Sequence, residues 1–279
     1  MQQTDQIIVT GASGALGSLV VDELLRRVPA ERVVAVTRVP ARLTALTGRG
    51  VTVRHGDYDD PASLRSAFRG ASRLLLVSSP ELDPARRSAQ HRAAVDAARH
   101  VAVGAVAYTS FLGADTDATG LTEAHHATER AIEASGLPYT LLRHPFYSDA
   151  FLDAGLRAAV AAGEVTSSTG GQGLNTALRR DLAEAAAVVL TGAGHLGRGY
   201  DLTGPLWTYP ELAAVLTALT GTPVRHREVP AQPGAMGWLH GLARSGALRR
   251  QTGDLAGLLG RAPVPLRQAV AEALAHPAP

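Results

Sequence analysis

Three glycines at a spacing of three, Gly11, Gly14 and Gly17, interrupt the stretch IIVTGASGALG between an apolar run and the helically spaced Leu16 to Leu25. That pattern suits the phosphates of a dinucleotide. Gly11 permits a tight turn, Gly14 leaves room for backbone beside a pyrophosphate, and Gly17 lets a helix pack close to its strand. Ala12, Ser13, Ala15 and Leu16 complete a turn whose amides and positive helix end would face the anion. The next apolar run, Val33 to Thr37, ends at Arg38, with Arg42 a turn later and no carboxylate to receive a ribose 2′-hydroxyl. Two guanidiniums match a 2′-phosphate in charge and in forked geometry, so NADP(H) is expected, with NAD(H) bound more weakly. The alternative is a pair of solvated arginines on a surface helix.

Further candidates fall at the ends of later apolar runs. Asp57, beside Tyr58, is placed to accept from an adenine amino group or to cap the helix after Pro61. Ser78, Ser79 and Pro80 suit backbone running past a ribose, and Thr109 and Ser110 end the run after that. His125-x-x-x-Glu129 stands where a Tyr-x-x-x-Lys pair would do alcohol chemistry, but a carboxylate cannot do the lysine's work; the plain alternative is a stabilising i,i+4 surface pair. Tyr139 and Arg143 lie on an apolar strand about 13 Å apart along the chain and cannot act as a close pair. Arg143, His144 and Pro145 are expected to orient a loop at the cofactor's reactive end, and Arg179 is added as a further cofactor contact. Phe146 and Tyr147 are either a packing face for a flat substrate or core.

What is missing narrows the chemistry. All 27 basic side chains are arginines and there are no cysteines. That excludes Schiff bases, a P-loop lysine, a Tyr–Lys pair, thiol catalysis and disulfides. The histidines form no His-x-x-x-His or His-Glu-x-x-His set with a third ligand, so no metal is expected. Ser110 has no nucleophile elbow around it. A net charge of +2 offers no footprint for nucleic acid. The start MQQTDQ has no signal-peptide pattern and no apolar run reaches membrane length, so a soluble cytoplasmic protein is expected.

These residues need a scaffold that brings strand ends together. Apolar runs at Ile7, Val33, Val51, Leu74, Ala105 and Tyr139 alternate with helical patterns at Ala62–Phe68, Arg86–Arg99 and Thr122–Ser135. Alternation of this regularity predicts an α/β fold, a Rossmann-like doubly wound parallel sheet with ligands at the carboxyl ends of its strands. After Arg143 the pattern changes to a helix over Asp149–Ala162, a Gly/Ser/Thr-rich stretch, a helix capped by Asp181, and short elements including Tyr209–Thr220 and Pro265–Ala275. The expected organisation is one extended domain over 1–279. Residues 1–147 would be its cofactor-binding portion and 148–279 a small C-terminal α/β substrate cap.

With those stretches in place, the chain resembles the NmrA-like atypical short-chain dehydrogenases, and among them the bacterial NAD(P)H:quinone and triphenylmethane reductases. The resemblance is carried by TGASGALG, VRHGDYDDPASLRSAF, LLLVSSPE, AQHRAAVDAA, VAYTSFLGAD, HHATE, YTLLRHPFYSDAF and GRGYDLTG. It implies an NADPH-binding protein that passes hydride to quinones or dyes without flavin or metal. It places His125 at the position of the catalytic Tyr. Two departures stand out: His144 replaces a common Asn after Arg143, and Arg42 replaces a frequent Lys.

Hydride addition to a quinone gives a delocalised anion, so a weak acid or water is a sufficient proton source. His125, His126 and His144 are the expected donors near neutral pH. The expected function is thus an NADPH-dependent reductase of quinone-like or dye-like acceptors. A non-catalytic NAD(P)-binding redox sensor acting through a protein partner is the alternative, and an isomerase storing hydride on bound NADP is a weaker third. A homodimer is allowed.

Overall fold

Buried strands alternate with helices through the first half of the chain, in a computed structural model that describes residues 5–153 and 155–275. In order, these are β1 (Gln6–Val9), α1 (Ala15–Leu25), β2 (Val33–Thr37), α2 (Thr44–Thr47), β3 (Thr52–His55), α3 (Pro61–Phe68), β4 (Ala71–Leu76), α4 (Pro84–His100), β5 (Val106–Phe111), α5 (Glu123–Ala134) and β6 (Tyr139–His144). There follow β7 (Phe146–Tyr147), α6 (Gly155–Ala162), β8 (Glu164–Ser167), β9 (Leu174–Ala177), α7 (Arg179–Thr191) and β10 (Arg198–Asp201). The chain ends through β11 (Leu206–Trp207), α8 (Tyr209–Thr220), β12 (Arg225–Glu228), α9 (Gly234–Arg244), α10 (Asp254–Leu259) and α11 (Leu266–Ala275). Two units result. One runs to His144 and takes in Leu182–Leu202; the other holds Pro145–Asp181 and the chain from Thr203.

The first unit is built on a seven-stranded sheet in the order β10-β6-β5-β4-β1-β2-β3. Every adjacent pair is parallel. This is the expected Rossmann-like doubly wound sheet, extended by β10 at its edge. Inside the sheet, β2 is a near-continuous apolar run because both its faces are covered: all five of its residues are buried. α1 packs through Leu16, Val20, Val21 and Leu24, spaced to fall on one helical face. Each such fully buried aliphatic side chain contributes about 1.5–3 kcal/mol. Ile8, Val34, Phe68, Leu74, Tyr108 and Leu141 belong to the same core. Strand order reverses between β1 and β4, and crevices at such a switch point hold ligands in open α/β sheets.

The second unit contains the short sheets β11-β9-β7 and β12-β8. Leu174, Trp207, Leu212, Leu216 and Val270 form its core. Three local expectations are corrected. The helix over Asp149–Ala162 is a 3-10 turn at Ser148–Ala150 followed by α6. The Asp149 carboxylate accepts from the Arg179 amide. Asp181 lies inside the first turn of α7, not at its cap, and its carboxylate accepts from the Val264 amide and Arg261. Residues 182–202, placed with the cap portion by sequence, group with the sheet because β10 pairs with β6.

Candidate active site

A cleft of 540 Å³ lies over the carboxyl ends of the first unit's strands. Thr10, Gly11, Ser13, Gly14, Ala15, Leu16 and Gly17 form one wall, and Thr37, Arg38, Asp57 and Tyr58 another. Val77, Ser78, Ser79 and Pro80 close it after β4. Ala12 is buried beneath, its amide bonded to the Val36 carbonyl. The wall is made by backbone proximity: Gly11 sits at φ +60°, and a Cβ on Gly17 would stand 2.3 Å from the Gly11 carbonyl oxygen. α1 starts after Gly14, which offers no side-chain cap, and has no acidic residue in its first turn. Its leading amides and positive end are therefore presented to an anion.

Arg38 is exposed and lines this cleft, directly after the buried Thr37 whose hydroxyl lies 2.9 Å from that of Ser13. Arg42 is exposed too, on a 3-10 turn over Pro40–Leu43, and does not line the cleft. The two readings of Asp57 separate cleanly. Asp60 is the residue that caps α3, accepting from Ala62 and Ser63 amides at 3.0 and 3.2 Å, and Asp57 remains in the cleft wall. Tyr58 donates its hydroxyl to the Val77 carbonyl at 2.5 Å, 2.7 Å from Thr10 Oγ1. Burial pushes its pKa up, so it supplies a neutral ring.

α4 contributes residues that the strand-end logic did not pick out. Gln90 donates to Asp59 at 2.9 Å and accepts from the Ser79 hydroxyl at 2.5 Å; Arg86 meets the same carboxylate at 3.0 Å. Hydrogen bonds from Gln90 and Arg86 hold Asp59 below the ordinary carboxylate range. Their legible signal was the i,i+4 spacing of Arg86 and Gln90 on one helical face. Thr109, expected beside the cofactor, instead accepts from the Ser78 amide at 2.8 Å. It positions the loop after β4 from below.

The His125–Glu129 pair is not a surface pair: the two residues are 3% and 0% exposed. Glu129 receives Arg143 through both oxygens, at 2.9 and 2.8 Å, and the Ser110 hydroxyl at 2.6 Å. Arg143 is also 3.5 Å from Asp115 and Asp201. Burial opposes its charge, but the hydrogen bonds and charges of Glu129, Asp115 and Asp201 outweigh that and raise its pKa. Ser110 and Arg143 are thus committed to a buried ionic knot at the ends of β5 and β6.

The three histidines differ. His125 Nδ1 lies 2.8 Å from the Tyr108 hydroxyl. Burial, with Arg87 nearby, pushes its pKa well below the ordinary value. His144 ends β6, and burial lowers its pKa to about 3. Burial therefore favours the neutral imidazole at both positions near neutral pH. A neutral imidazole N–H can still donate a hydrogen bond that polarises a carbonyl. His126 Nδ1 donates to the Ala114 carbonyl at 2.8 Å, which leaves Nε2 as the acceptor of the neutral ring.

The remaining expected residues lie in the second unit. The Arg179 guanidinium sits 4.6 Å over the Tyr147 ring and 3.7 Å from Asp149. Phe146 meets Trp238 edge-on at 6.2 Å, and Trp238 is half exposed. Trp238 was missed because nothing local in GAMGWLHGLAR marks it. Among the described residues, no group of three or more acidic or histidine side chains is arranged to hold a metal ion.

Comparison with known proteins places this geometry. A model of the family described as NAD(P)H-binding matches residues 11–193. Quinone oxidoreductase 2 of Escherichia coli is 43% identical over 224 residues, 80% of this chain and 77% of that protein. An NmrA-like family domain-containing oxidoreductase of Aspergillus flavus is 31% identical over 298 residues, 96% of this chain and 94% of the other. The structure of Citrobacter sp. triphenylmethane reductase complexed with NADP(H) superimposes with a TM-score of 0.91 at 37% identity, covering 96% of this chain and 100% of that one.

Proposed function

Because the chain belongs to the NAD(P)H-binding, NmrA-like family, we propose that it is an NADPH-dependent oxidoreductase that reduces quinones or similarly flat, dye-like electrophiles. The observation that carries this reading is the cleft itself: an uncapped α1 terminus and Arg38 face one space in a chain without lysine. The residues fit the cofactor. Gly14 to Gly17 would hold the pyrophosphate by backbone amides, Arg38 the 2′-phosphate, and Asp57 and Tyr58 the adenine side. The similarity to a quinone oxidoreductase and a triphenylmethane reductase supports the acceptor class.

When bound, NADPH supplies the hydride. The chain's share is positioning and a hydrogen bond. Thr109 and His91 fix the amides of Ser78 and Ser79, so the loop beside the cofactor is rigid before substrate arrives. We assign His125 the role of hydrogen-bond donor to the acceptor's carbonyl oxygen, with water completing the protonation. No strong protein acid is needed, since the anion formed is delocalised.

The test is NADPH consumption followed by absorbance with a panel of quinones and triphenylmethane dyes. Turnover of any of them supports the reading. Saturable NADPH binding with no consumption on any acceptor replaces it with the sensor alternative, and failure to bind NADPH removes both.

A further inference from the structure

A line of buried polar groups runs under the cleft from the loop after β4 to α5, and its hydrogen bonds have a direction. The Ser79 amide donates to His91 Nε2 at 2.8 Å. A backbone N–H can only donate, so Nε2 carries no proton and the neutral ring holds its proton on Nδ1. That Nδ1 lies 2.9 Å from Thr128 Oγ1 and 3.3 Å from the Tyr108 hydroxyl. The Thr128 hydroxyl proton is already given to the Ala124 carbonyl at 2.6 Å, leaving its oxygen to accept from His91. His91 Nδ1, being a donor, cannot take the Tyr108 proton. The Thr128 oxygen also stands near the Tyr108 hydroxyl but is already engaged by His91, and the nearest acceptor is His125 Nδ1, at 2.8 Å.

From this geometry we propose that Tyr108 and His91 are positioning residues that hold His125 in one neutral tautomer, its proton on Nε2. Tyr108 donates to Nδ1 and thereby makes Nε2–H the ring's donor edge. His91 sets the direction of the Tyr108 proton and ties it to the Ser79 amide of the cleft wall. The groups involved are packed tightly enough to keep one arrangement: His91, Tyr108, His125 and Thr128 are 0%, 0%, 3% and 2% exposed. The ring centroids of Tyr108 and His125 are 5.9 Å apart, and those of His91 and Tyr108 5.5 Å. Burial keeps His91 and His125 neutral and Tyr108 protonated, the states this chain of bonds requires. A second-sphere partner that fixes a histidine tautomer is a known way to tune its chemistry.

The proposal rests on the reductase reading only for its kinetic half. Long-range proton–nitrogen NMR of the full chain with 15N-labelled histidine reads the tautomers directly. His91 is expected to be protonated on Nδ1 and His125 on Nε2. In Tyr108→Phe, which keeps the ring in the core, His125 is expected to become a mixture of tautomers. The same variant should lose about three- to tenfold in kcat on a quinone, the equivalent of one neutral hydrogen bond, with an unchanged KM for NADPH. A wild-type His125 protonated on Nδ1, or a Tyr108→Phe spectrum identical to wild type at His125, overturns the proposal. The wild-type spectrum decides the tautomer even where the variant does not fold. If no acceptor is reduced, the reductase reading and the kinetic half fall together, and the spectrum alone still supports or overturns the tautomer.

Discussion

Arg38 is the side chain whose replacement should separate the two nicotinamide dinucleotides. It is exposed at the cleft, and the carboxylate of nearby Asp59 is already held by Gln90 and Arg86. Arg38→Ala should raise the KM for NADPH about tenfold or more, the scale of a lost charge-assisted hydrogen bond, and leave NADH nearly unchanged. Arg42→Ala should do less, because Arg42 stands outside the cleft lining. Equal losses for both dinucleotides would refute the 2′-phosphate assignment. Glu129 makes the opposite kind of prediction, about stability. Glu129→Ala leaves the Ser110 hydroxyl without its acceptor and strips Arg143 of its bidentate partner. The cost should be about 3 kcal/mol in urea unfolding, as expected when one partner of a buried pair is removed. The exposed pair Arg26–Glu23 is the control: Glu23→Ala should cost under about 1 kcal/mol. Similar losses in the two variants would show that the buried knot is not the stronger element.

At the scale of elements, α1 and α3 divide binding from stability. A methyl on Gly17 would press on backbone, the Gly11 carbonyl at 2.3 Å, so Gly17→Ala must push α1 away from its turn. It should abolish measurable NADPH binding. Asp60→Ala removes the cap of α3 and should cost about 1 kcal/mol with the NADPH dissociation constant unchanged. A calorimetric titration showing intact binding in Gly17→Ala would sink the account of the turn. The same elements show what was readable from the chain. β2 was legible because VVAVT is apolar at every position, and α8 because Thr208, Pro210 and Glu211 open it and Gly221 closes it in the left-handed region. Asp57 and Asp60 flank one another in sequence, and either could cap a helix. Only the backbone after β3 decides that Asp60 does so. The partnership of Glu129 with Arg143 was hidden for a different reason. It joins a helix to a strand, and periodicity within either element carries no information about a contact between them. His125 looked like half of an i,i+4 pair for the same reason, since burial is a tertiary fact.

For the whole molecule, the buried titratable groups set a window of stability against pH. Burial depresses the folded pKa of His91 to about 3 and that of His144 to about 3, and that of His125 well below its ordinary value. An unfolded histidine titrates near about 6.5. Below that pH the unfolded chain binds protons that the folded chain refuses, so stability must fall as pH falls. Each such histidine contributes a slope of up to about 1.4 kcal/mol per pH unit until its folded pKa is reached. Carboxylates with lowered pKa, such as Asp59 and Asp117, add their loss only near and below about pH 4, where unfolded carboxylates titrate. The window from about 6.5 down to 4 therefore belongs to the histidines. At the alkaline end the sign reverses. Burial raises the folded pKa of Tyr58, Tyr108 and Tyr209, so their contribution is complete below about pH 10 and is lost as pH rises beyond it. Urea midpoints should be flat between about pH 7 and 9 and decline on both sides, more steeply toward acid. Because His91, His125 and His144 all lie in the unit that carries the seven-stranded sheet, hydrogen exchange at about pH 5 should show a larger loss of protection there than in the second unit. Equal protection at about pH 5 and 7.5 in β4, β5 and β6 would mean that these imidazoles are protonated in the folded state, contrary to their burial.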